Sequence, residues 1–541
     1  FGSQFMHHST DRGNTWVIKS PDLTTNDSEK QNQAESGGLT IDATKAENHC
    51  TILCIAPNPL REGEIWVGTD DGRIQHTTDG GATWTDHAAS IKRFPQGAWI
   101  PQIHVSPHDA DEVYVVVNDY RRNNWQPYLY RTTDGGESWV RLVLEGGEVT
   151  GHVLSVAQDP EVASLLFLGT EEGLFVSFDR GANWKRWEHN VPSVPVRDMV
   201  IHPRDGDLIL GTFGRAAYVI DDLAPLRSLA AEGNGLMEES LRVFSIPDAY
   251  QVNFRRHAGA RFPADHYWSG ANYGGGARVQ FYVHPDTADV YGKDELEWSI
   301  INTEGDTLRN GALTADGGIQ TMRWRFDTNG MDWPQRELKK KKDEPNGGGP
   351  DVLPGPYTLA MNLGDHASST PVTVHPDPRV PYNRQAHEAR NLHQRIAMEA
   401  AKPIVDAMNE VQRMLTTMGT VKDDLKWIPD SLKEDATALA DSLDGELTRI
   451  EEIYYQPRDY KGTGSVTERL NSILWTAFSV TGGADAPGGN AQRALERLRD
   501  EGKAFADQVK AVQEGLWLEW LEAAEAVDRS PSRIYEGTGK Q

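Results

Sequence analysis

The chain changes its hydrophobic pattern twice along its length. Up to about residue 224, short apolar segments such as 65–69 and 166–170 alternate with turns rich in Gly, Asp and Pro, which predicts short β-strands. Apolar strands continue through residues 225–380, and from residue 381 onward apolar positions recur every three or four residues, as in helices. The pattern predicts a mainly β fold class with an α-helical C-terminal region, divided into domains 1–224, 225–380 and 381–541.

An internal repeat marks the first domain. Segments 9–16, 77–84, 132–139 and 177–184 all fit Ser/Thr-x-Asp-x-Gly-x-x-Trp. The Asp and Trp positions of this box are Asp11, Trp16, Asp79, Trp84, Asp134, Trp139, Asp179 and Trp184. The hydroxyl and carboxylate hold a tight turn, Gly takes a positive φ, and Trp fills space between sheets. We therefore expect a structural turn, repeated in the four-stranded blades of a β-propeller.

The second domain keeps apolar strands but lacks the box. Segments 278–283, 296–301, 322–326 and 357–361 are separated by turn residues, which predicts an immunoglobulin-like or fibronectin-like β-sandwich. A Lys- and Gly-rich insert near 337–350 predicts a disordered, solvated loop.

The third domain carries stripes of apolar residues at helical spacing. Leu432, Ala436, Leu439, Leu443 and Leu447 form one such stripe. Gly-rich breaks near 462–464 and 482–489, with Pro429, divide the region into three or four long helices. An antiparallel helical bundle is the expected result.

The four boxes, together with segment 211–222, resemble those of the large bacterial Asp-box (BNR-repeat) proteins with sortilin-like propellers, often labelled glycosyl hydrolases. The similarity continues through segments 268–272, 353–359 and 377–379 and into the helical tail. Such proteins are about twice this length, are exported to the periplasm or the cell exterior, and begin with further blades. The resemblance implies that this chain is their N-terminally truncated C-terminal half.

Charge and composition narrow the partners. Lys and Arg number 54 against 80 Asp and Glu, for a net charge of −26, which repels phosphate backbones and anionic lipids, so we expect no nucleic-acid partner. No apolar stretch approaches the ~18–20 residues of a transmembrane segment. Cys50 and Cys54 would lie ~13 Å apart along one strand, too far for a disulfide. No metal-ligand cluster or phosphate loop is present, so no metal or cofactor is predicted.

The candidate chemistry lies in loops on one face. If the box occupies the turn between the third and fourth strands of a blade, the loops between the second and third strands emerge on the opposite face. These loops contribute four carboxylates: Asp70, Asp71, Glu171 and Glu172. They are interpreted either as ordinary hairpin turns or as the paired carboxylates of a glycoside hydrolase.

Aromatic and cationic residues in the same loops, and in a loop entering an inner strand, are the candidate ligand contacts: Trp99, Arg121, Arg122, Trp125 and Arg215. An extended loop with aromatics exceeds what a turn requires. The main hypothesis is an exported propeller protein that binds a protein or glycan on the face opposite the boxes. The alternative is a glycoside hydrolase acting on a polysaccharide, and a third possibility is a structural role in envelope assembly; whether the chain is an enzyme stays open.

Overall fold

The computed structural model describes residues 1–32, 49–252, 274–291, 296–334, 336, 347–457, 460, 468–480 and 485–527. These separate into two units, Phe1–Glu238 and Glu239–Gln541. Segment 268–272 of the family resemblance and residues 337–346 of the charged insert lie outside the described residues, as do residues 462–464 and 482–483 of the Gly-rich breaks.

The first unit is a series of small antiparallel sheets. It begins with a two-stranded sheet of β1 (His7–His8) and β2 (Val17–Ile18). Blade 1 contains β3 (Ile52–Pro57), β4 (Ile65–Thr69), β5 (Ile74–Thr77) and β6 (Thr85–Asp86). Blade 2 contains β7 (Trp99–Val105), β8 (Val113–Asp119), β9 (Asn124–Thr132) and β10 (Val140–Arg141). Blade 3 contains β11 (Val153–Gln158), β12 (Leu166–Thr170), β13 (Gly173–Ser177) and β14 (Lys185–Arg186). Blade 4 has three strands, β15 (Val196–Ile201), β16 (Leu208–Thr212) and β17 (Ala217–Ile220), and helix α1 (Ala224–Glu232) follows.

Consecutive blades share apolar cores. Trp66 and Ile74 of blade 1 pack with Ile100 and Val115 of blade 2. Blades 2 and 3 are joined through Tyr114, Val116, Leu129, Leu168 and Phe175, and blades 3 and 4 through Phe167, Leu174, Val196 and Leu208. Strand β8 is buried at every position because neighbouring sheets cover both of its faces. This arrangement is that of β-propeller blades, as predicted for the coarse fold.

The box turn closes on itself. In blade 2, Gly136 N donates to Thr132 Oγ1 (2.9 Å), Ser138 N donates to Asp134 Oδ1 (2.9 Å), and Trp139 Nε1 donates to Gly136 O (3.1 Å). The hydrogen bonds from the Ser138 side chain and backbone lower the pKa of Asp134 to about 2.

The same carboxylate bonds recur around Asp11, Asp79 and Asp179. The tryptophans differ, since Trp184 is buried and Trp16 is 51% exposed. Trp16 therefore does not fill a gap between sheets within the described chain, as the sequence pattern led us to expect. Trp84 and Trp139 are half-buried.

Glycines in two second strands allow the next blade to approach. A Cβ at Gly68 would lie 2.5 Å from Ile100 Cγ2, and one at Gly169 would lie 3.0 Å from Val196 Cβ. Ile100 and Val196 belong to the inner strands of the following blades. Gly211 holds the equivalent place in blade 4, but its nearest neighbour is 3.6 Å away, in its own blade.

The second unit begins with two sheets over one core. Its strands are β18 (Leu241–Val243), β19 (Ala249–Gln251), β20 (Ala277–Val283), β21 (Leu296–Ile301), β22 (Thr307–Leu313), β23 (Gly318–Trp324), β24 (Asp327–Asn329), β25 (Gly348–Asp351), β26 (Gly355–Leu363) and β27 (His366–Pro376), with helix α2 (Pro285–Tyr291) after β20. A three-stranded sheet β18-β20-β23 and a five-stranded sheet β19-β27-β26-β21-β22 form, and β24 pairs with β25. Phe281 and Trp324 of the first sheet share a core with Ile300 and Leu359 of the second. The immunoglobulin-like topology stays a prediction.

The predicted helical region follows. Its helices are α3 (Arg384–Leu425), α4 (Asp430–Tyr454), α5 (Leu470–Ser479), α6 (Gly489–Glu514) and α7 (Leu516–Ala526). Asn383 caps α3 by accepting a hydrogen bond from Ala386 N (3.1 Å). The described part of this region thus contains five helices rather than three or four, because Gly515 separates α7 from α6. Their common core includes Met408, Leu447, Leu474, Phe505 and Trp520.

Candidate functional site

The loops between second and third strands share one face with the starts of the inner strands. The strand register pairs Trp99 with Asn118 and Val196 with Thr212, so each inner strand begins beside the end of its second strand. The box turns lie on the other face, where Gly80 N donates to Gly63 O (2.9 Å) in the turn between β3 and β4. The geometry therefore separates the boxes from the candidate ligand loops.

Five side chains from blades 2 and 3 gather on this face. The Arg121 guanidinium carbon lies 3.2 Å from the centre of the Trp99 ring and 4.4 Å from that of Tyr120. The Tyr120 ring lies 4.6 Å from His152 and 5.8 Å from Trp125, centre to centre. We call Trp99, Tyr120, Arg121, Trp125 and His152 the aromatic cluster.

The loop that carries most of the cluster is held by its own polar side chains. Arg122 Nε donates to Asp119 Oδ1 (2.6 Å), and Asn124 Nδ2 donates to Asp119 Oδ2 (2.9 Å). Asn123 adopts a left-handed conformation with φ 61°, which Asn tolerates better than most residues, and accepts a hydrogen bond from Trp125 Nε1 (3.1 Å). Arg122 therefore anchors the loop, whereas the Trp125 ring is 57% exposed.

His152 lies beneath the exposed aromatics and is only 3% exposed. Burial, followed by the positive charges of Arg197 and Arg121, lowers its pKa to about 4, so the imidazole is neutral at pH 7. Its Nε2 lies 3.7 Å from Glu171 Oε2. Its Nδ1 has no hydrogen-bond partner among the described residues.

A second arginine extends this surface into blade 4. The guanidinium carbon of Arg197 lies 5.2 Å from the centre of the Phe213 ring, which is 67% exposed. Burial, followed by the charge of Arg197, lowers the pKa of Arg121, whereas Tyr120 and Asp70 act in the opposite direction. Arg215 is exposed and donates to Gly214 O in its own loop (3.2 Å).

Asp70 and Asp71 are almost fully buried. Asp70 accepts hydrogen bonds from Thr51 N (2.8 Å) and Thr51 Oγ1 (3.1 Å), and burial raises its pKa. Asp71 accepts from Thr25 N (2.6 Å) and Thr69 Oγ1 (2.5 Å). Burial alone would raise the pKa of Asp71, but bonds from Thr69 and Thr25 outweigh it and the pKa is lowered. Both carboxylates tie loops together.

Glu171 and Glu172 remain accessible at the rim. Glu171 is 42% exposed beside His152, whereas Glu172 is exposed and bonded through its backbone to Thr170 Oγ1 and Arg186. Of the four candidate carboxylates, Glu171 is the one that contacts the aromatic cluster. A catalytic role for any of them stays a prediction.

Sequence reasoning missed Tyr120, His152, Arg197 and Phe213. Tyr120 lies within the extended loop that carries Arg121 and Arg122, whereas His152 belongs to no motif that marks it in the sequence. His152 and Arg197 each stand at the start of an inner strand. The start of the inner strand, repeated in blades 3 and 4, is the sequence position that would have identified both residues.

Within the described ranges, no group of three or more His, Cys, Asp or Glu side chains is placed to hold a metal ion. Cys50 and Cys54 are both free thiols. Among the described residues, no helix combines the length and the apolarity needed to cross a bilayer.

No family model matches the chain. Curated relatives match locally: the xyloglucanase Xgh74A of Acetivibrio thermocellus is 34% identical over 99 residues, 16% of this chain and 12% of that protein. Vacuolar protein sorting/targeting protein 10 of Aspergillus clavatus is 26% identical over 155 residues, 25% of this chain and 10% of that protein. The chain thus spans only a small part of the length of these relatives. Among solved structures, an ancestral GH74 enzyme is 12% identical, with a TM-score of 0.28, over 66% of this chain and 49% of that one.

Proposed function

We propose that this chain belongs to an exported, sortilin-like Asp-box propeller protein that binds a protein or glycan ligand on the face opposite the boxes. The aromatic cluster carries this proposal. An exposed Trp125 and an Arg121 packed between two aromatic rings are not needed to fold a blade. Aromatic and Arg side chains are the residues that dominate binding surfaces.

The cellular location and the fold of the two-sheet region are also part of this proposal. Export to the periplasm or the cell exterior follows from the family resemblance and agrees with the local match to a sorting protein and a xyloglucanase. The two-sheet region is proposed to be an immunoglobulin-like or fibronectin-like β-sandwich.

The test is binding to glycan and peptide arrays by the whole chain and by two matched variants. Trp125→Ala removes an exposed ring of the cluster, and Trp16→Ala removes a ring of similar exposure on the box face. We expect binding to fall with Trp125→Ala and to persist with Trp16→Ala. Equal loss in both variants, or no bound ligand at all, would contradict the proposal.

The second candidate function is a glycoside hydrolase acting on a polysaccharide, which the local match to a xyloglucanase favours. Hydrolysis needs two carboxyl groups ~5–9.5 Å apart around the sugar. Glu171 is accessible, so Glu171→Gln tests a direct role without removing a buried bond. Release of reducing ends from xyloglucan that disappears in Glu171→Gln would establish the hydrolase. Asp70→Asn and Asp71→Asn are the companion variants, with circular dichroism to separate lost folding from lost catalysis.

A further inference from the structure

The face that carries the aromatic cluster holds arginines as well as accessible carboxylates such as Glu171. Arg121 and Arg197 form no ion pair with any carboxylate among the described residues, although the chain holds 80 acidic residues against 54 basic ones. Arg121 packs on Tyr120, whose ring centre lies 4.6 Å from that of His152 at the start of blade 3, and Arg197 is the second residue of β15 in blade 4. The two arginines therefore belong to the blades on either side of His152. A guanidinium group without a carboxylate partner favours an anionic ligand, because a charge-assisted hydrogen bond satisfies its donors.

Arg121 is held in a fixed position. Its guanidinium packs against the rings of Trp99 and Tyr120, which restricts a side chain that would otherwise lose much rotamer freedom on binding. A guanidinium that is already ordered presents its planar fork of donors to a carboxylate at little further entropic cost.

Exposed aromatic faces flank the two arginines. Trp125 is 57% exposed beside Tyr120, and Phe213 is 67% exposed beside Arg197. Aromatic side chains can stack on sugar rings while the neighbouring arginines bind carboxylates, so this surface suits a polysaccharide whose sugars carry carboxylates. The loop's own amide and carboxylate groups, on Asp119, Asn123 and Asn124, are already bonded to one another or to neighbouring side chains. These three side chains are therefore already engaged and do not offer free partners to a peptide backbone.

We propose that the ligand is an acidic polysaccharide built of uronic acids, with its carboxylates on Arg121 and Arg197 and its sugar rings against Trp125. This inference rests on the proposed function, because it names the ligand class for the same face. It differs from the hydrolase candidate, whose relatives by name act on xyloglucan.

The experiment is calorimetric titration of the whole chain with oligomers of polygalacturonate and with the same oligomers after reduction of their carboxyl groups. The native oligomers should bind at least about tenfold more tightly, and Arg121→Gln and Arg197→Gln should each weaken binding about tenfold. Binding should also weaken as salt is raised. Arg204→Gln is the matched control, since Arg204 is an exposed arginine in the turn between β15 and β16, on the box face.

Arg121→Lys keeps the charge but loses the planar fork, so it should bind more weakly than the parent and more tightly than Arg121→Gln. Circular dichroism of each variant confirms that it is folded. Equal affinity for native and reduced oligomers would overturn the inference, and so would an oligoglutamate peptide of the same charge that binds as tightly.

The outcomes separate this inference from the proposed function. Binding of neutral xyloglucan or of a peptide that is lost in Trp125→Ala but unaffected by Arg121→Gln would overturn the acidic ligand and leave a binding face. No binding of any probe that depends on Trp125 would overturn both.

Discussion

The glycines in the second strands offer a test of how the blades pack. Replacing Gly169 with Ala would bring its Cβ into overlap with Ser155 Oγ and Val196 O, and within 3.0 Å of Val196 Cβ. Ser155 Oγ donates to Val196 O at 2.9 Å in the buried contact between blades 3 and 4. The added methyl must therefore push the inner strand of blade 4 away or displace this hydroxyl.

The magnitude follows from these contacts. Overpacking a core costs ~1–3 kcal/mol, and a buried hydroxyl or carbonyl left without its partner costs a further ~1–3 kcal/mol. Because Ala reduces the conformational entropy of the unfolded chain, the substitution also stabilises the fold, but only by ~0.4–1 kcal/mol. We expect Gly169→Ala to lower the free energy of unfolding of the blades by about 2–5 kcal/mol, and Gly68→Ala to act likewise against Ile100.

Gly211 supplies a matched control in the same repeat position. Its nearest neighbour is 3.6 Å away, and the face of blade 4 beside it carries a cross-strand row of Val200, Ile209 and Val219, in which both valines are more than half exposed. Gly211→Ala should therefore leave stability unchanged or raise it by ~0.4–1 kcal/mol.

Urea unfolding followed by tryptophan fluorescence gives the overall effect. A chain with two units need not unfold in one step, so hydrogen exchange of peptides covering β12 and β15 provides the local measurement. Faster exchange in Gly169→Ala than in Gly211→Ala is expected. Equal stability of the two variants would refute the steric account of blade packing.

Three further predictions concern other parts of the chain. Trp66 is fully buried and its ring centre lies 3.8 Å from that of His76; Trp66→Ala should cost ~3–5 kcal/mol in urea unfolding. Burial lowers the pKa of His104 to about 4, so the unfolded state takes up its proton first and stability should fall from about pH 6.5 to about pH 4; His104→Gln should flatten that part of the pH profile. Phe505 is buried in the helical core, so Phe505→Ala should lower the free energy of unfolding by ~3–5 kcal/mol. Hydrogen exchange should become faster in α6 and stay unchanged in the blades.

The repeat made the blades readable from sequence. Each box fixes the turn between two strands through bonds within eight residues, so local chemistry alone determined it, and the apolar segments before the boxes became strands such as β4 and β12. The sequence also predicted that the loops facing away from the boxes share one face. In the structure, Arg121 and Trp99, which come from two of these loops, contact each other.

What sequence reasoning could not supply was the partner of each polar side chain. Asp70 and Asp71 resemble an accessible pair, yet their oxygens are taken by Thr51, Thr25 and Thr69. Thr25 is 46 residues away from Asp71. Burial lowers the pKa of His152, and the charges of Arg197 and Arg121, which belong to the neighbouring blades, lower it further. Such long-range contacts depend on blade order and have no local signature.

The box turn also bears on how such a chain diversifies. Each turn satisfies its own carboxylate and hydroxyl groups, so duplication copies this network together with the two strands that it joins. Contacts between blades differ: His87, which follows β6, contacts Gly136 O of the blade 2 box at 3.0 Å, and Gly169 must suit the inner strand of blade 4. The polar network of a box is therefore portable between positions in a repeat array, whereas blade order is constrained by pairs of neighbouring blades that must change together.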